Sequence, residues 1–322
     1  MKHVFALAMS AVLALPGHGQ ANDPDPVDAV ATIGMIRDVV ANVGGDCVMA
    51  EGMMGPGVDP HLYRASAGDV SMLRDAEVIF YAGYALEGRL GRVFDRLSQR
   101  IPTVAVSEAA HAREALISVA DYDGVDPHLW MDGALWAGTI PVIADALVER
   151  RPGCRARIRD NAAVYREQLT ALDEWMGAAV ATVPEAHRHL VTAHDAFEYF
   201  GRAYDLEVVG IQGISTDSEP SIQDIRATAD RVVETGVPAI FVESTISPRT
   251  VEAVIEAARQ RGHEVRIGGE LYSDAMGARD EAAGTYIGMM HSNTRTIVEA
   301  LGGDPPALPD ALSDWAREWE VQ

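Results

Sequence analysis

The amino-acid sequence predicts an α/β fold: two lobes with mostly parallel sheets flanked by helices, joined by one long spine helix. Three observations carry this expectation. Short apolar runs rich in β-branched residues alternate with helical patterns through both halves of the chain. One stretch, Arg155 to Val180, repeats apolar residues at three- and four-residue steps along its whole length. The 322 residues supply cores for one large or two ordinary domains, and no run after residue 21 is long and apolar enough to span a bilayer.

Residues 1–21 read as an export signal. Lys2 gives the positive start, Val4 to Leu15 is almost wholly apolar, Pro16 and Gly17 break the run, and Gly19-Gln20-Ala21 offers small residues for cleavage. No Cys lies near that point, so the expectation is an exported, soluble chain without a lipid anchor there. Asn22 to Val27 is a polar lead. Ala31 to Val43 fits either a strand running into a helix or one helix. Cys47 to Ala50 is a short apolar run, and Gly52 to Gly57 is a loop. Ser66, with Asp69 three residues on, marks a helix start. Glu77 to Tyr81 and Thr103 to Val106 read as strands. Asp132 is a cap for a helix over Ala134 to Glu149.

The long periodic stretch then follows. At a rise of about 1.5 Å per residue it reaches roughly 40 Å, and Pro184 ends it. The second half repeats the alternation. Strand patterns fall at Leu190 to Thr192, Glu207 to Ile211, Pro238 to Val242 and Glu264 to Ile267. Helical patterns fall at Ile222 to Thr235 and Thr250 to Arg261. The expected division is a signal peptide at 1–21, an N-terminal α/β lobe at 22–152, a linking helix at 153–183 and a C-terminal α/β lobe at 184–322.

With 48 acidic against 26 basic side chains, the net charge of −22 argues against a nucleic-acid partner, which needs a basic face. Cys47 and Cys154 are too few and too far apart for a Cys-type zinc site. A disulfide and two separate buried thiols both remain open for them.

The tetrapeptide Asp-Pro-His-Leu occurs at Asp59–Leu62 and again at Asp126–Leu129. Proline fixes its own backbone angle and restricts the residue before it, so each His61 and His128 imidazole rides on a stiff piece of chain. His194 ends an apolar strand-like run, and Asp274 follows another. In parallel sheets ligands gather beyond the carboxyl ends of strands. Three imidazoles and one carboxylate are a ligand set for a transition metal. Asp59, Asp126, Asp195 and Glu270 are near in sequence and are candidates to orient the rings. Glu243 closes a strand and is read as a hydrogen-bond partner at its edge. His111, His187, His189, His263 and His291 lack such context and are read as structural. Met53-Met54 is read as apolar filling.

Several segments, in order, resemble one known family. They are Gly55 to Tyr63, Asp126 to Asp132, Val191 to Phe197, Gly213 to Thr216, and Gly269 to Gly277. The chain resembles the metal-binding solute-binding proteins of zinc and manganese ABC importers, the TroA-type cluster. The resemblance implies two α/β lobes joined by a long helix, with one Mn²⁺ or Zn²⁺ per chain bound between them. It implies His61 and His128 as ligands from the first lobe, and His194 and Asp274 from the second. It further implies a periplasmic monomer that hands its ion to a cognate inner-membrane ABC permease with its ATPase. Many zinc-specific members carry a His- and acid-rich loop before the second ligand, which His111 to Asp126 lacks. Many manganese-specific members have Glu where this chain has His194, so both metals stay open. The competing readings are an exported zinc-dependent hydrolase, which needs an open metal position, and a surface adhesin or metal buffer. No His-Glu-x-x-His motif supports the first.

Overall fold

The computed structural model describes residues 25–120 and 124–321; the export-signal reading of residues 1–21 lies outside them. The N-terminal half opens with β1 (Val27–Ala31), which turns at Thr32-Ile33 into α1 (Gly34–Gly44). A strand entering a helix is therefore what Ala31 to Val43 belongs to, and Val27 leaves the polar lead to begin the strand. Next come β2 (Val48–Gly52), α2 (Ala67–Asp75), β3 (Val78–Tyr81), α3 (Gly91–Leu97), β4 (Thr103–Ala105) and the short α4 (Val106–Ala110). The four strands form one parallel sheet in the order β2-β1-β3-β4. Val27, Ala29, Val30 and Ala31 of β1 and Val78, Ile79 and Phe80 of β3 are buried, because helices cover both faces of the central strands. The edge strand β2 instead alternates half-buried and exposed residues. At α2 the expected start is a full capping box: Asp69 N–H donates to Ser66 Oγ, and Ser66 N–H donates to Asp69 Oδ2.

The helix expected over 134–149 is two helices, α5 (Gly133–Ala137) and α6 (Thr139–Arg150), parted at Gly138. Two causes meet there. Pro141 has no N–H to give the Ala137 carbonyl. The His111 imidazole bonds the Leu135 carbonyl through Nε2 at 2.8 Å and lies 2.6 Å from where a Cβ on residue 138 would stand. Asp132 caps α5 by accepting the Leu135 N–H at 2.9 Å.

The long helix α7 (Arg155–Val180) has 26 residues, and its buried stripe includes Ile158, Ala162, Tyr165, Leu169, Leu172, Met176 and Val180. It is fastened at both ends. Of the two readings left open for the cysteines, the disulfide is the one present: Cys47–Cys154 ties the start of α7 to the end of α1. Tyr165 donates to the buried Asp38 carboxylate of α1 at 2.6 Å. Towards the other end, Trp175 Nε1 donates to the Pro306 carbonyl at 2.9 Å, and Thr182 Oγ1 accepts the Asp304 N–H at 2.9 Å.

The C-terminal half contains β5 (His189–His194), α8 (Glu198–Tyr204), β6 (Glu207–Gln212), α9 (Ile222–Thr235), β7 (Ala239–Glu243), α10 (Arg249–Gln260), β8 (Arg266–Leu271), α11 (Tyr286–Ala300) and α12 (Ser313–Glu318). β5 pairs with β6 and β7 with β8, both in parallel, and β5 and β7 lie side by side. The two pairs, set side by side, give the spatial order β6-β5-β7-β8, which parallels β2-β1-β3-β4. β8 runs past the expected Ile267 because Gly268 and Gly269 continue it, and glycine gives no apolar signal.

Candidate metal centre

The elements bring His61, His128, His194 and Asp274 together. His61 lies in the loop after β2, His128 in the loop leading to α5, His194 is the last residue of β5, and Asp274 lies three residues beyond β8. One ligand-capable atom from each lies within 4.8 Å of all the others, and all four residues are buried. Asp274 is the hub. Its Oδ2 is 3.3 Å from His61 Nε2 and 3.3 Å from His194 Nε2, and its Oδ1 is 3.3 Å from His128 Nε2. Metal bonds of about 2.0–2.1 Å, arranged tetrahedrally, place neighbouring ligand atoms roughly 3.3–3.4 Å apart. Each carboxylate-to-imidazole distance therefore fits one small cation shared by the pair, and the four ligand atoms together lie within 4.8 Å.

The polar bookkeeping agrees. His128 Nε2, His194 Nε2 and both Asp274 oxygens are buried and have no hydrogen-bond partner of good geometry. Buried polar atoms without partners are costly, so such a concentration marks a place built for something to coordinate. The exposure of each of the four is at most 2%.

The rings are held from behind. Asp126 Oδ1 accepts both the His128 backbone N–H at 2.9 Å and Nδ1–H at 2.7 Å. Glu243 accepts the His194 N–H through Oε1 at 2.8 Å and bonds Nδ1 through Oε2 at 2.5 Å. A carboxylate on Nδ1 fixes the tautomer in which Nε2 offers its lone pair to a metal. Burial opposes charge on His128, yet Asp126 and Asp274 outweigh it and raise its pKa to about 9. His194 follows the same pattern: burial opposes its charge, but Glu243 and Asp274 drive its pKa well above the ordinary range. Burial likewise opposes charge on Asp274, and the His194 and His61 imidazoles override it and hold the carboxyl well below its usual range.

Of the residues expected to orient the rings, Asp126 does so for His128. Asp59 Oδ1 accepts the His61 backbone N–H at 2.8 Å. Asp195 keeps one oxygen, Oδ1, buried and unpartnered, and Glu270 is exposed on β8. Glu243 is a hydrogen-bond partner, but its role as the holder of the His194 ring was not legible in sequence. The signal lay in its position, at the end of the strand beside β5. Trp130 also joins the halves, donating from Nε1 to the Ser273 carbonyl at 2.9 Å, one residue before Asp274. Among the described residues the remaining histidines stay outside the cluster: His187 bonds the Leu301 carbonyl, His263 that of Val237, and His291 packs between Trp175 and Trp315. Met53 and Met54 are buried in the apolar core.

A closed pocket of imidazoles and a carboxylate, assembled from both halves of a parallel α/β protein, defines a metal-binding solute receptor. The chain belongs to the family described as zinc-uptake complex component A, periplasmic, which matches residues 29–300. It is 44% identical over 282 residues to the zinc-binding protein TroA of Treponema pallidum, covering 87% of this chain and 90% of TroA. It is 40% identical over 302 residues to the manganese-binding lipoprotein MntA of Bacillus subtilis, covering 92% of this chain and 98% of MntA. The solved structure of the Treponema pallidum periplasmic zinc-binding protein TroA superposes with a TM-score of 0.83, covering 86% of this chain and 99% of that one at 44% identity. An Fe(III)-bound YtgA from Chlamydia trachomatis superposes with a TM-score of 0.80 at 25% identity, covering 87% of this chain and 100% of that one.

Proposed function

We propose that this chain is a periplasmic receptor that takes up one Mn²⁺ or Zn²⁺ through His61, His128, His194 and Asp274 and delivers it to an ABC permease and its ATPase. The observation that carries the reading is the 3.3 Å spacing of three Nε2 atoms around one buried carboxylate. Zn²⁺ suits a closed four-ligand site of this kind. Mn²⁺ favours more oxygen, and both Asp274 oxygens face the cluster. In a site of given geometry Zn²⁺ binds more tightly, so cargo choice falls to geometry and supply. The relatives divide the same way, with TroA named for zinc and MntA for manganese.

The lobes of this reading are residues 22–152 and 184–322, with 153–183 as the link. The chain acts as a monomer, free of nucleic acid and exported in soluble form. The Cys47–Cys154 disulfide supports an oxidising compartment. A zinc hydrolase is disfavoured because four protein ligands fill a tetrahedral zinc ion, whereas a catalytic zinc keeps one position for water.

The test is a competition titration of chelator-stripped protein with Mn²⁺ and Zn²⁺, read by native mass spectrometry and thermal shift. The expected result is one ion per chain, lost in His61→Ala. At about 1,000 times its dissociation constant, an ion adds roughly 4 kcal/mol of stability, easily seen in melting. Absence of stoichiometric binding by either ion overturns the proposal.

A further inference from the structure

The first Asp-Pro-His-Leu turn is connected to the opposite half by a route that the metal cluster does not use. Asp59 Oδ1 accepts the His61 backbone N–H, which sets the turn. Its second oxygen, Oδ2, accepts a 2.6 Å bond from Thr216 Oγ1. Thr216 belongs to the loop after β6, in the C-terminal half. That loop is stapled from inside: Gln212 Nε2 donates to the Thr216 carbonyl at 3.1 Å and to the Ser218 carbonyl at 2.8 Å. Gln212 ends β6 and is the register partner of His194 on β5. A continuous path therefore runs from one ligand candidate to another: His194, Gln212, Thr216, Asp59, His61.

Two further contacts lie along it. Arg89 Nη2 bonds Asp217 Oδ1 at 2.9 Å, next to Thr216, and so also joins the halves. That pair is exposed, and exposed pairs contribute little. Gly57, whose φ of +69° is open to glycine, brings the same N-terminal loop to within reach of the Ser244 carbonyl, 3.7 Å from where its Cβ would stand.

We propose that Asp59 and Thr216 form a latch that couples the position of His61 to the C-terminal half and slows metal release. Asp59 is a positioning residue. It touches the His61 backbone, and through Thr216 it reads where the β6 loop sits. With the latch made, His61 cannot leave the cluster without moving the loop or breaking a short, charge-assisted bond. With the latch broken, the first half's turn moves independently. The inference rests on the reading of His61 as a metal ligand.

The experiment measures dissociation of Zn²⁺ from the full exported chain by stopped flow, with a chromogenic chelator in excess. Thr216→Val keeps the shape of the side chain and removes the donor. It is expected to speed release by roughly 3- to 10-fold, the scale of one hydrogen bond at a partly exposed site, with association little changed and the metal-free melting temperature lowered by no more than about a few degrees. Thr216→Ser restores the hydroxyl and should return release to near the parental rate. In the background of Asp59→Asn, Thr216→Val should add little. A Thr216→Val release rate within twofold of the parent overturns the latch, and so does a Ser variant no slower than the Val variant. Failure of the underlying receptor reading looks different: the parental protein itself then holds no Zn²⁺.

Discussion

Asp59-Pro60-His61-Leu62 and Asp126-Pro127-His128-Leu129 have the same four residues and share their first hydrogen bond, donated by the histidine N–H to the Oδ1 of the aspartate two residues before it. They part at the next one. Asp126 uses the same oxygen to hold the His128 ring at Nδ1, and its Oδ2 is left buried without a partner. Asp59 spends its other oxygen on Thr216, across the join of the halves. The local sequence sets the turn, and the neighbourhood sets the work of the carboxylate. Asp126 is fully buried beside its imidazole, whereas Asp59 is partly exposed at a rim where another loop arrives. One turn is built to hold a ring and the other to hold a contact.

Removing a ring should cost most. Four ligands of a structural zinc site supply about 10–16 kcal/mol together, so His128→Ala should lose roughly 3 kcal/mol, about a hundredfold in affinity or more. Isothermal competition against a chelator measures it, and an unchanged dissociation constant would remove His128 from the site.

The comparison itself is broken or sharpened by changing the aspartates one at a time. Asp126→Asn takes away the charge behind the ring and should weaken metal binding about 10- to 100-fold. Asp59→Asn should weaken it only a few-fold, mainly through faster release. The reverse ranking, read by the same competition, would show that the two turns have been assigned the wrong way round.

The smallest effect is in pH. His128 is raised to about 9 in the metal-free chain, so its protonated form stabilises the fold below its unfolded value of about 6.5, and that contribution is lost as pH rises to about 9. The metal competes with the same proton. The melting gap between loaded and stripped protein should therefore widen between pH 6.5 and 9. Melting curves at the two ends of this window check it, and a gap that narrows with pH contradicts the charge assignment.

The positions of these features were unevenly legible. The strand–helix alternation and α7 were plain, because apolar periodicity is a local property. The cap at Ser66 and Asp69 was legible for the same reason. The four clustered residues stood out because stiff turns and strand ends are written in adjacent residues. Glu243 was not recognisable as the holder of the His194 ring, since its partner is 49 residues away and meets it only because β5 lies beside β7. The break at Gly138 depended on a ring from His111 that no helical pattern could announce. Thr216 escaped for the same reason: its bond to Asp59 spans 157 residues.

The disulfide has a further consequence. Cys47 and Cys154 close a covalent ring of the intervening chain, with a separation of 107 residues, and both Asp-Pro-His-Leu turns lie inside it while His194 and Asp274 lie outside. A protease that cuts once within the ring, for instance in the loop carrying His61, opens the circle without releasing anything. The oxidised protein stays one molecule of nearly unchanged mass, and only reduction parts the pieces. Damage to the loops that carry the first two imidazoles would thus leave the mass on a non-reducing gel nearly unchanged.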